Sequence, residues 1–248
     1  MSKNFARILT LAEFLSDAPK SGWSKSEVAE QSGLPPSSVY RLLTEMEIAG
    51  YIYKTSMGGL LPNFAFERRI GIGNIAPDRL RAACAQVSAQ LECASEIILR
   101  RGHNLLWHIT DEHPNQAIKL RAHPGYVRAT YELDSMSRMV LSYCNRADIE
   151  KTWDIDGFYE VGILRERMSW ETASEKIFAT DKNAMQYDIL GNSRGVRRFC
   201  VAVNDAEGDF VCLLTSAEAA VPLRDEDAHV EKIRNTLLST RQSLETVV

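Results

Sequence analysis

The chain has 248 residues, of which 45% are hydrophobic and 25% are charged, and its formal net charge is −4. It is longer than one small domain needs, so two domains of ordinary globular composition are expected. The negative charge argues against binding nucleic acid through many sequence-indifferent phosphate contacts, but it does not exclude a focused site.

The sequence contains no apolar stretch long enough to cross a bilayer, so no membrane partner is expected. Its N-terminus also lacks the basic-then-apolar pattern of a secretory signal. The five cysteines form no CxxC pair, and their number is odd. We therefore expect free thiols in a reducing compartment and a cytoplasmic protein.

Three amphipathic helices are predicted in the first fifty residues. The first has apolar positions spaced by three and four, at Phe5, Ile8, Leu9, Ala12 and Leu15. The second begins at Lys25, because Ser24 and Glu27 can form a capping box, and it ends at Gly33. Pro36 suits the first position of a third helix, which is predicted to run to about Ala49.

The third helix has two distinct sides. Val39, Leu42, Leu43 and Met46 recur at helical spacing on one side and predict the buried face. The other side is small and polar at its start, with hydroxyls and an arginine of the kind that reach phosphates or base edges in a major groove. An ordinary helical hairpin with a solvated outer face is the alternative for these two helices alone.

A short hairpin is predicted after the third helix. The chain alternates from Tyr51 to Lys54, turns through Met57 to Gly59 and returns to Pro62. The order of three helices and a hairpin is that of a winged helix-turn-helix, which favours the DNA-binding interpretation. We assign this domain to residues 1–62.

The strings FARILTLAEFL and SKSEVAEQSGLPPSSVYRLLTEMEIAGYI resemble the N-terminal domain of the IclR family of bacterial transcriptional regulators. The resemblance implies a winged helix joined by a linker helix to a C-terminal effector-binding domain, in a protein that binds double-stranded operator DNA as a dimer or tetramer. No cofactor and no metal are expected. The residues that we assign to the DNA-contacting surface are Lys25, Ser26, Pro36, Ser37, Ser38, Tyr40, Arg41, Glu45 and Lys54.

The N-terminal segment is close to neutral, because its cationic residues are balanced by glutamates. The cations include Arg7, Lys25, Arg41 and Lys54, and the glutamates include Glu13, Glu27, Glu30 and Glu45. One such module should bind DNA only modestly, so we expect a dimer or a dimer of dimers on a pseudo-palindromic site.

Residues 63–76 are predicted to form the linker, with a short helix at about Phe64–Ile70. Beyond it, residues 77–248 alternate between helical and strand patterns, starting with a long helix at Pro77. The predicted strands are 95–101, 104–110, 116–121, 196–203 and 210–215. The predicted helices are 134–143, 147–153, one capped by Ser169, and 224–244.

This layout is α+β, with an antiparallel sheet covered by helices, and it resembles the GAF-like effector domain of the same family. Where the family usually has small residues ending in Gly-Lys-Ala, this chain has SMSRM at 135–139, which implies a differently shaped ligand. The resemblance puts the ligand between the sheet and the 134–143 helix. The matching effector-binding positions are Ser135, Met136, Asp188, Arg198 and Ser216.

Arg198 suggests a small organic anion, with a carboxylate favoured, because a guanidinium offers paired donors to a carboxylate. The alternative is that strand alternation turns Arg198 to solvent and Arg197 inward. We further expect Asp188 to pair with Arg198 in the absence of a ligand. The bulk of Met136 is expected to shrink the pocket and favour a compact ligand.

Two other classes of function are open to these residues. An enzyme could use the cysteines with His103, His108, His113 and His123, but the histidine spacings match no zinc motif and no catalytic residue is predicted. Alternatively, the winged helix could contact other proteins. The polar start of the third helix, with Arg41, favours DNA.

Overall fold

The computed structural model describes residues 3–16, 18–19, 21–64 and 75–246, with the side chains of residues 3–6 left out. The chain divides into two compact units, Met1–Arg69 and Ile70–Val248. The expected boundaries at 62 and 76 stay a prediction. Except for Phe64, the expected linker helix lies outside the described residues.

The first unit contains the predicted three helices and hairpin. Its elements are α1 (Lys3–Ser16), α2 (Lys25–Gln31), α3 (Pro36–Ile48), β1 (Ile52–Lys54) and β2 (Leu60–Pro62). The two strands are antiparallel, with Tyr53 opposite Leu61. Trp23 also pairs with β2: its N–H donates to the Leu60 carbonyl at 3.0 Å, and its carbonyl accepts from the Leu60 N–H at 2.7 Å.

Local signals in the sequence set the ends of α2 and α3. The Glu27 N–H donates to Ser24 Oγ at 3.2 Å, and the Ser24 N–H donates to Glu27 Oε2 at 2.7 Å, which completes the capping box. Gly33 has φ +67° and stops α2 in a backbone conformation that strains other residues. The three helices bury a common core of Leu11, Leu15, Val28, Val39, Leu42, Leu43, Ile52 and Leu60.

The second unit is a six-stranded antiparallel sheet with helices on both faces. Its strands are β3 (Ala94–Arg101), β4 (Asn104–Asp111), β5 (Val127–Ala129), β6 (Gln186–Tyr187), β7 (Val196–Asn204) and β8 (Phe210–Ala219). Their order in the sheet is β5-β4-β3-β8-β7-β6. The helices are α4 (Pro77–Leu91), α5 (Ser135–Ser142), α6 (Arg146–Thr152), α7 (Trp170–Phe178) and α8 (Glu226–Glu245), with a short 3-10 helix at Ile155–Gly157.

Strand alternation divides the core of this unit between the two faces of the sheet. On one face, α4 and α8 pack against side chains such as Ile97, Phe199 and Leu214. On the other face, α5 packs against side chains that include Ile98 and Leu213. The predicted α+β fold class is confirmed. No helix in the described ranges is both long enough and apolar enough to cross a membrane.

The strand predicted at 116–121 is wrong. The third strand of this region is β5, which follows the turn at Pro124–Gly125 and pairs with β4. The main chain of Trp107 explains the difference: its N–H donates to the Tyr126 carbonyl at 2.9 Å, and its carbonyl accepts from Gly125 N–H at 2.8 Å. The pairing edge of β4 is therefore taken by residues after the turn, and 116–121 lies outside the sheet.

Candidate nucleic-acid interface and ligand cavity

The outward side of α3 is polar and accessible. Val39, Leu42 and Leu43 are buried, as predicted. The exposed residues of this side are Pro36, Ser37, Tyr40, Arg41, Thr44 and Glu45, and Ser38 is half-buried. Arg41 Nη1 donates to Glu45 Oε1 at 2.7 Å, but both side chains are more than half exposed. An exposed pair of this kind is weak, so Arg41 can exchange Glu45 for another anion.

Lys25 and Lys54 come together at the opposite end of α3 from Ser37. Lys54 Nζ lies 2.7 Å from Glu47 Oε1, and Lys25 Nζ lies 3.7 Å from Glu47 Oε2. The hydrogen bond from Lys54 is the main cause that lowers the pKa of Glu47. Glu47 follows Ser37 by ten positions, which corresponds to about 15 Å along the helix axis. Ser26 is exposed near the same end, with its Oγ 3.1 Å from Ser24 Oγ.

The second unit contains a cavity of about 580 Å³, within the size range of small-molecule sites. Its floor is the sheet, and its walls are three connecting segments. The lining residues are Trp107, Lys119, Leu120, Arg121, Ala122, Tyr126, Arg128, Glu132, Tyr159, Arg165, Asn192, Ser193, Arg194, Val196 and Arg198.

Specific hydrogen bonds, some from the Asn192 side chain to the backbone, hold two of these walls. Asn192 Oδ1 accepts from Arg194 N–H at 3.0 Å and from Val196 N–H at 3.2 Å, which fixes the turn that presents Arg194. Gly191 before it has φ +71°, and a Cβ there would lie 2.7 Å from the Cβ of Ala220. The Tyr159 wall is attached by the Leu133 N–H, which donates to the Tyr159 carbonyl at 3.0 Å.

Arg198 lies on the cavity floor and is held by a buried carboxylate. Its Nε donates to Glu96 Oε2 at 2.8 Å, and its Nη2 donates to Glu96 Oε1 at 3.1 Å. Thr215 Oγ1 donates to Glu96 Oε2 at 3.1 Å, so the fully buried Glu96 has three donors. The Arg198 Cζ lies 5.7 Å from the centre of the Trp107 ring. Arg198 Nη1 makes no hydrogen bond with the residues that the structure describes.

Arg197 points to the other face of the sheet, so the expectation that the two arginines diverge is confirmed. Its Nε donates to Glu218 Oε1 at 2.5 Å, and His229 Nε2 lies 2.9 Å from the same oxygen. Neither arginine is turned to solvent: the exposed fraction is 4% for Arg197 and 10% for Arg198.

Arg128 forms a second buried ion-pair network at the cavity wall. Its Nη1 lies 2.7 Å from Asp134 Oδ2 and 3.0 Å from Glu132 Oε2. Burial would raise the pKa of Asp134, but the charge and hydrogen bond of Arg128 lower it below its ordinary value. For Glu132, burial prevails over the attraction of Arg128, and its pKa is raised.

Asp188 pairs with Arg138 rather than with Arg198, so that expectation is wrong. Arg138 Nη2 donates to Asp188 Oδ1 at 2.9 Å, and Ser135 N–H donates to Asp188 Oδ2 at 2.5 Å. Burial is the largest cause that raises the pKa of Asp188. Ser135 and Asp188 line only a small recess that shares Arg198 with the main cavity.

Met136 and Ser216 do not line the cavity. Met136 is 1% exposed and packs with Met139 and Val140 against the sheet, so α5 leaves no room for a ligand beneath it. Ser216 follows Leu214 by two residues on β8 and therefore faces the α4 and α8 layer. The cavity consequently lies beside α5, and the argument that Met136 makes the ligand compact fails.

The charge of the cavity lining is strongly unbalanced. It has six cationic side chains, Lys119, Arg121, Arg128, Arg165, Arg194 and Arg198, and one carboxylate, Glu132. Arg165 Nη2 donates to the Tyr159 hydroxyl at 2.7 Å, and its Cζ lies 4.4 Å from the centre of that ring. This lining suits an anion.

The histidines and cysteines considered for enzyme chemistry would need to form a metal site or to include a reactive thiol. The described ranges contain no group of three or more His, Cys, Asp or Glu side chains that could hold a metal ion. All five cysteines are free. Burial raises the pKa of Cys84 and Cys93 to about 12, which keeps these thiols protonated at neutral pH.

Most of the cavity residues could not be predicted from the sequence. The sequence could have indicated Glu96, because a single carboxylate inside the apolar string SEIIL needs a buried partner. It contains no such indication for Lys119, Arg121 and Arg165, since they lie in connections whose path depends on the folded sheet. Glu47 was missed for the same reason: its two lysine partners belong to α2 and β1.

Comparisons with known proteins agree on one family. Residues 6–56 match the family model of the IclR helix-turn-helix domain. No curated protein sequence matches the chain. An IclR-family structure from Rhodococcus sp. is 15% identical with a TM-score of 0.64, and the match covers 98% of this chain and 92% of that one.

Two further structures contain ligands. An IclR homolog from Microbacterium hydrocarbonoxydans complexed with 4-hydroxybenzoate is 15% identical with a TM-score of 0.54, covering 98% of this chain and 99% of that one. The inducer-binding domain of a PobR double mutant from Acinetobacter, in complex with 3-hydroxybenzoic acid, is 17% identical with a TM-score of 0.58. That match covers 70% of this chain and 99% of the other.

The chain therefore has two units, a winged helix-turn-helix and an α+β unit. Residues 6–56 match the IclR helix-turn-helix domain, and the chain has the fold of IclR-family structures.

Proposed function

We propose that the chain binds operator DNA through α3 and that a small organic anion, bound in the cavity of the second unit, changes its affinity for DNA. The observation that carries the proposal is the cavity lining, with six cationic side chains and a single carboxylate. The proposed setting is the cytoplasm, where the chain would meet both DNA and small metabolites.

The proposed DNA contacts divide between the two ends of α3. At its start, Ser37, Ser38, Tyr40 and Arg41 would enter the major groove, where an arginine can donate twice to guanine. At its end, Lys25 and Lys54 would exchange Glu47 for phosphates. Such contacts are few for one protomer, so the binding unit is a dimer or a dimer of dimers on a pseudo-palindromic site.

In the cavity, the proposed anchor for the anion is Arg198. Two of its nitrogens are fixed by Glu96, and Nη1 is left to donate to a ligand. A carboxylate is the favoured group, because two of the structural relatives are bound to hydroxybenzoates. Arg198 and Glu96 would stay paired when the ligand binds, since Glu96 is fully buried and Arg198 is its only ion-pair partner among the described residues.

Two measurements test this proposal. Fluorescence anisotropy with short duplexes from the region upstream of the chain's own gene should give a submicromolar Kd and much weaker binding to a scrambled duplex. A thermal-shift screen should show stabilisation by small carboxylates. Equal affinity for both duplexes would contradict the operator function, and stabilisation by amines or neutral aromatics alone would contradict the anion site.

A further inference from the structure

The cations of the cavity differ in how they are neutralised. Arg198 and Arg128, on the floor and at the wall, are paired with carboxylates of the protein. The side chains of Lys119, Arg121 and Arg194 are exposed at the mouth and have no ion-pair partner within the described part of the chain. The mouth therefore holds positive charge that the described residues of the second unit do not neutralise by ion pairing.

We propose that the effector carries at least two acidic groups, one held at the floor by Arg198 and another at the mouth by Arg121 and Arg194. The inference rests on the proposed function, since it specifies the class of anion that the cavity would bind. An effector of this class differs from a simple monocarboxylate, which has only one acidic group.

Charge accounting supports a multiply charged ligand. Six cations line the cavity, and three carboxylates are paired with them: Glu96 with Arg198, and Glu132 and Asp134 with Arg128. The difference, six minus three, leaves three positive charges. A monocarboxylate would leave two of them unbalanced in a concave site, where like charges reinforce one another's field. A ligand with two or three negative charges would remove most of the excess.

The positions of the cations support two separate contacts. Arg198 belongs to β7, whereas Arg194 is held by the Asn192 turn before that strand, and Arg121 belongs to the connection between β4 and β5. The cavity volume of about 580 Å³ leaves room for a molecule that reaches from the floor to the mouth. Because the mouth is exposed to water, its contribution should be moderate and should weaken as salt is added.

Dicarboxylates and carboxylates that carry a phosphate monoester share this chemistry, and probes built on one ring distinguish them. The experiment is calorimetric titration of the complete protein with benzoate, isophthalate and 3-(phosphonooxy)benzoate at low salt. Isophthalate or 3-(phosphonooxy)benzoate should bind about tenfold more tightly than benzoate, and this ratio should shrink at high salt. The tighter of the two identifies the second acidic group as carboxylate or phosphate.

Two double variants test whether the preference for a second acidic group comes from the cations at the mouth. Arg121→Gln/Arg194→Gln should lose the preference for the dianion and retain benzoate affinity within about threefold. Arg224→Gln/Lys232→Gln removes the same charge from exposed positions outside the cavity lining and should keep the preference. Equal binding of benzoate and the dianions, or a preference that survives in Arg121→Gln/Arg194→Gln, would overturn this inference alone. If none of the three anions binds, the proposed anion site is overturned as well.

Discussion

Arg198 and Glu96 are joined by two hydrogen bonds of 2.8 and 3.1 Å, although 102 residues separate them in the chain. The pair joins the outer part of the sheet to its centre, because Arg198 is on β7 and Glu96 is on β3, with β8 between them. It also fixes the direction in which Arg198 meets the cavity. The buried carboxylate therefore has a structural role and a positioning role.

The first prediction concerns the stability of this pair. Glu96→Gln should lower the free energy of unfolding by about 3 kcal/mol or more, because it leaves a nearly buried guanidinium without its counter-charge. Urea denaturation measures the change. The double variant Glu96→Leu/Arg198→Met should recover much of the loss, since neither charge then remains buried. A loss below about 1 kcal/mol in Glu96→Gln would show that the pair is not buried as described.

The winged helix could be predicted from sequence because its signals are local. The capping box of Ser24 and Glu27, the positive φ of Gly33 and the position of Pro36 each act within a few residues, and they define α2 and the start of α3. The cavity could not be predicted in this way. Its floor depends on strand register, which brings Glu96 to Arg198 and turns Ser216 to the opposite face.

The expected pocket beneath α5 failed for a related reason. The sequence pattern predicted the helix and the resemblance put the ligand between it and the sheet, but side-chain packing decides whether space remains under the helix. Met136 and Met139 fill that space. The true walls include Lys119 and Arg121, whose segment was misread as a strand, because an alternating string of this length does not itself determine sheet pairing.

The second prediction concerns the opposite pKa shifts of Glu132 and Asp134. The pKa of Asp134 is lowered, so its stabilising contribution is present above the unfolded pKa of about 3.9 and is lost as the pH falls through the folded value. The pKa of Glu132 is raised, so ionising it in the folded state costs stability as the pH rises above about 4.3.

These signs can be separated with two variants and thermal unfolding across acidic and neutral pH. The stability advantage of wild type over Asp134→Asn should shrink as the pH falls below about 3.9. The advantage of wild type over Glu132→Gln should shrink as the pH rises above about 4.3. Two differences that change in the same direction with pH would contradict the assignment of burial to Glu132 and ion pairing to Asp134.

The third prediction concerns α3. Arg41→Ala should weaken operator binding by about 1 to 3 kcal/mol per half-site without unfolding the protein, because Arg41 lies on the exposed side and can leave Glu45 for phosphate or guanine. Glu45→Ala is the matched variant: it frees Arg41 and removes a negative charge, so binding should stay equal or become tighter. Unchanged affinity in a folded Arg41→Ala protein would remove Arg41 from the interface.

The fourth prediction is that the protein acts as a dimer or a dimer of dimers. A single near-neutral winged helix makes too few contacts for selectivity, whereas linked copies read two half-sites. Light scattering after size exclusion should give at least twice the mass of one chain, both free and with a pseudo-palindromic duplex. A monomer under both conditions at micromolar concentration would contradict it.

An anion in the cavity is proposed to change DNA binding. The most direct test measures the affinity for DNA in the presence and absence of the anion. The Kd for the upstream duplex is determined by anisotropy with and without a saturating amount of the carboxylate that stabilises the protein most in the thermal-shift screen. We predict a change of about 5- to 150-fold, the usual range of coupling between two sites, and no such change with the scrambled duplex. An anion that binds the protein and leaves the Kd for the upstream duplex unaltered would contradict the account.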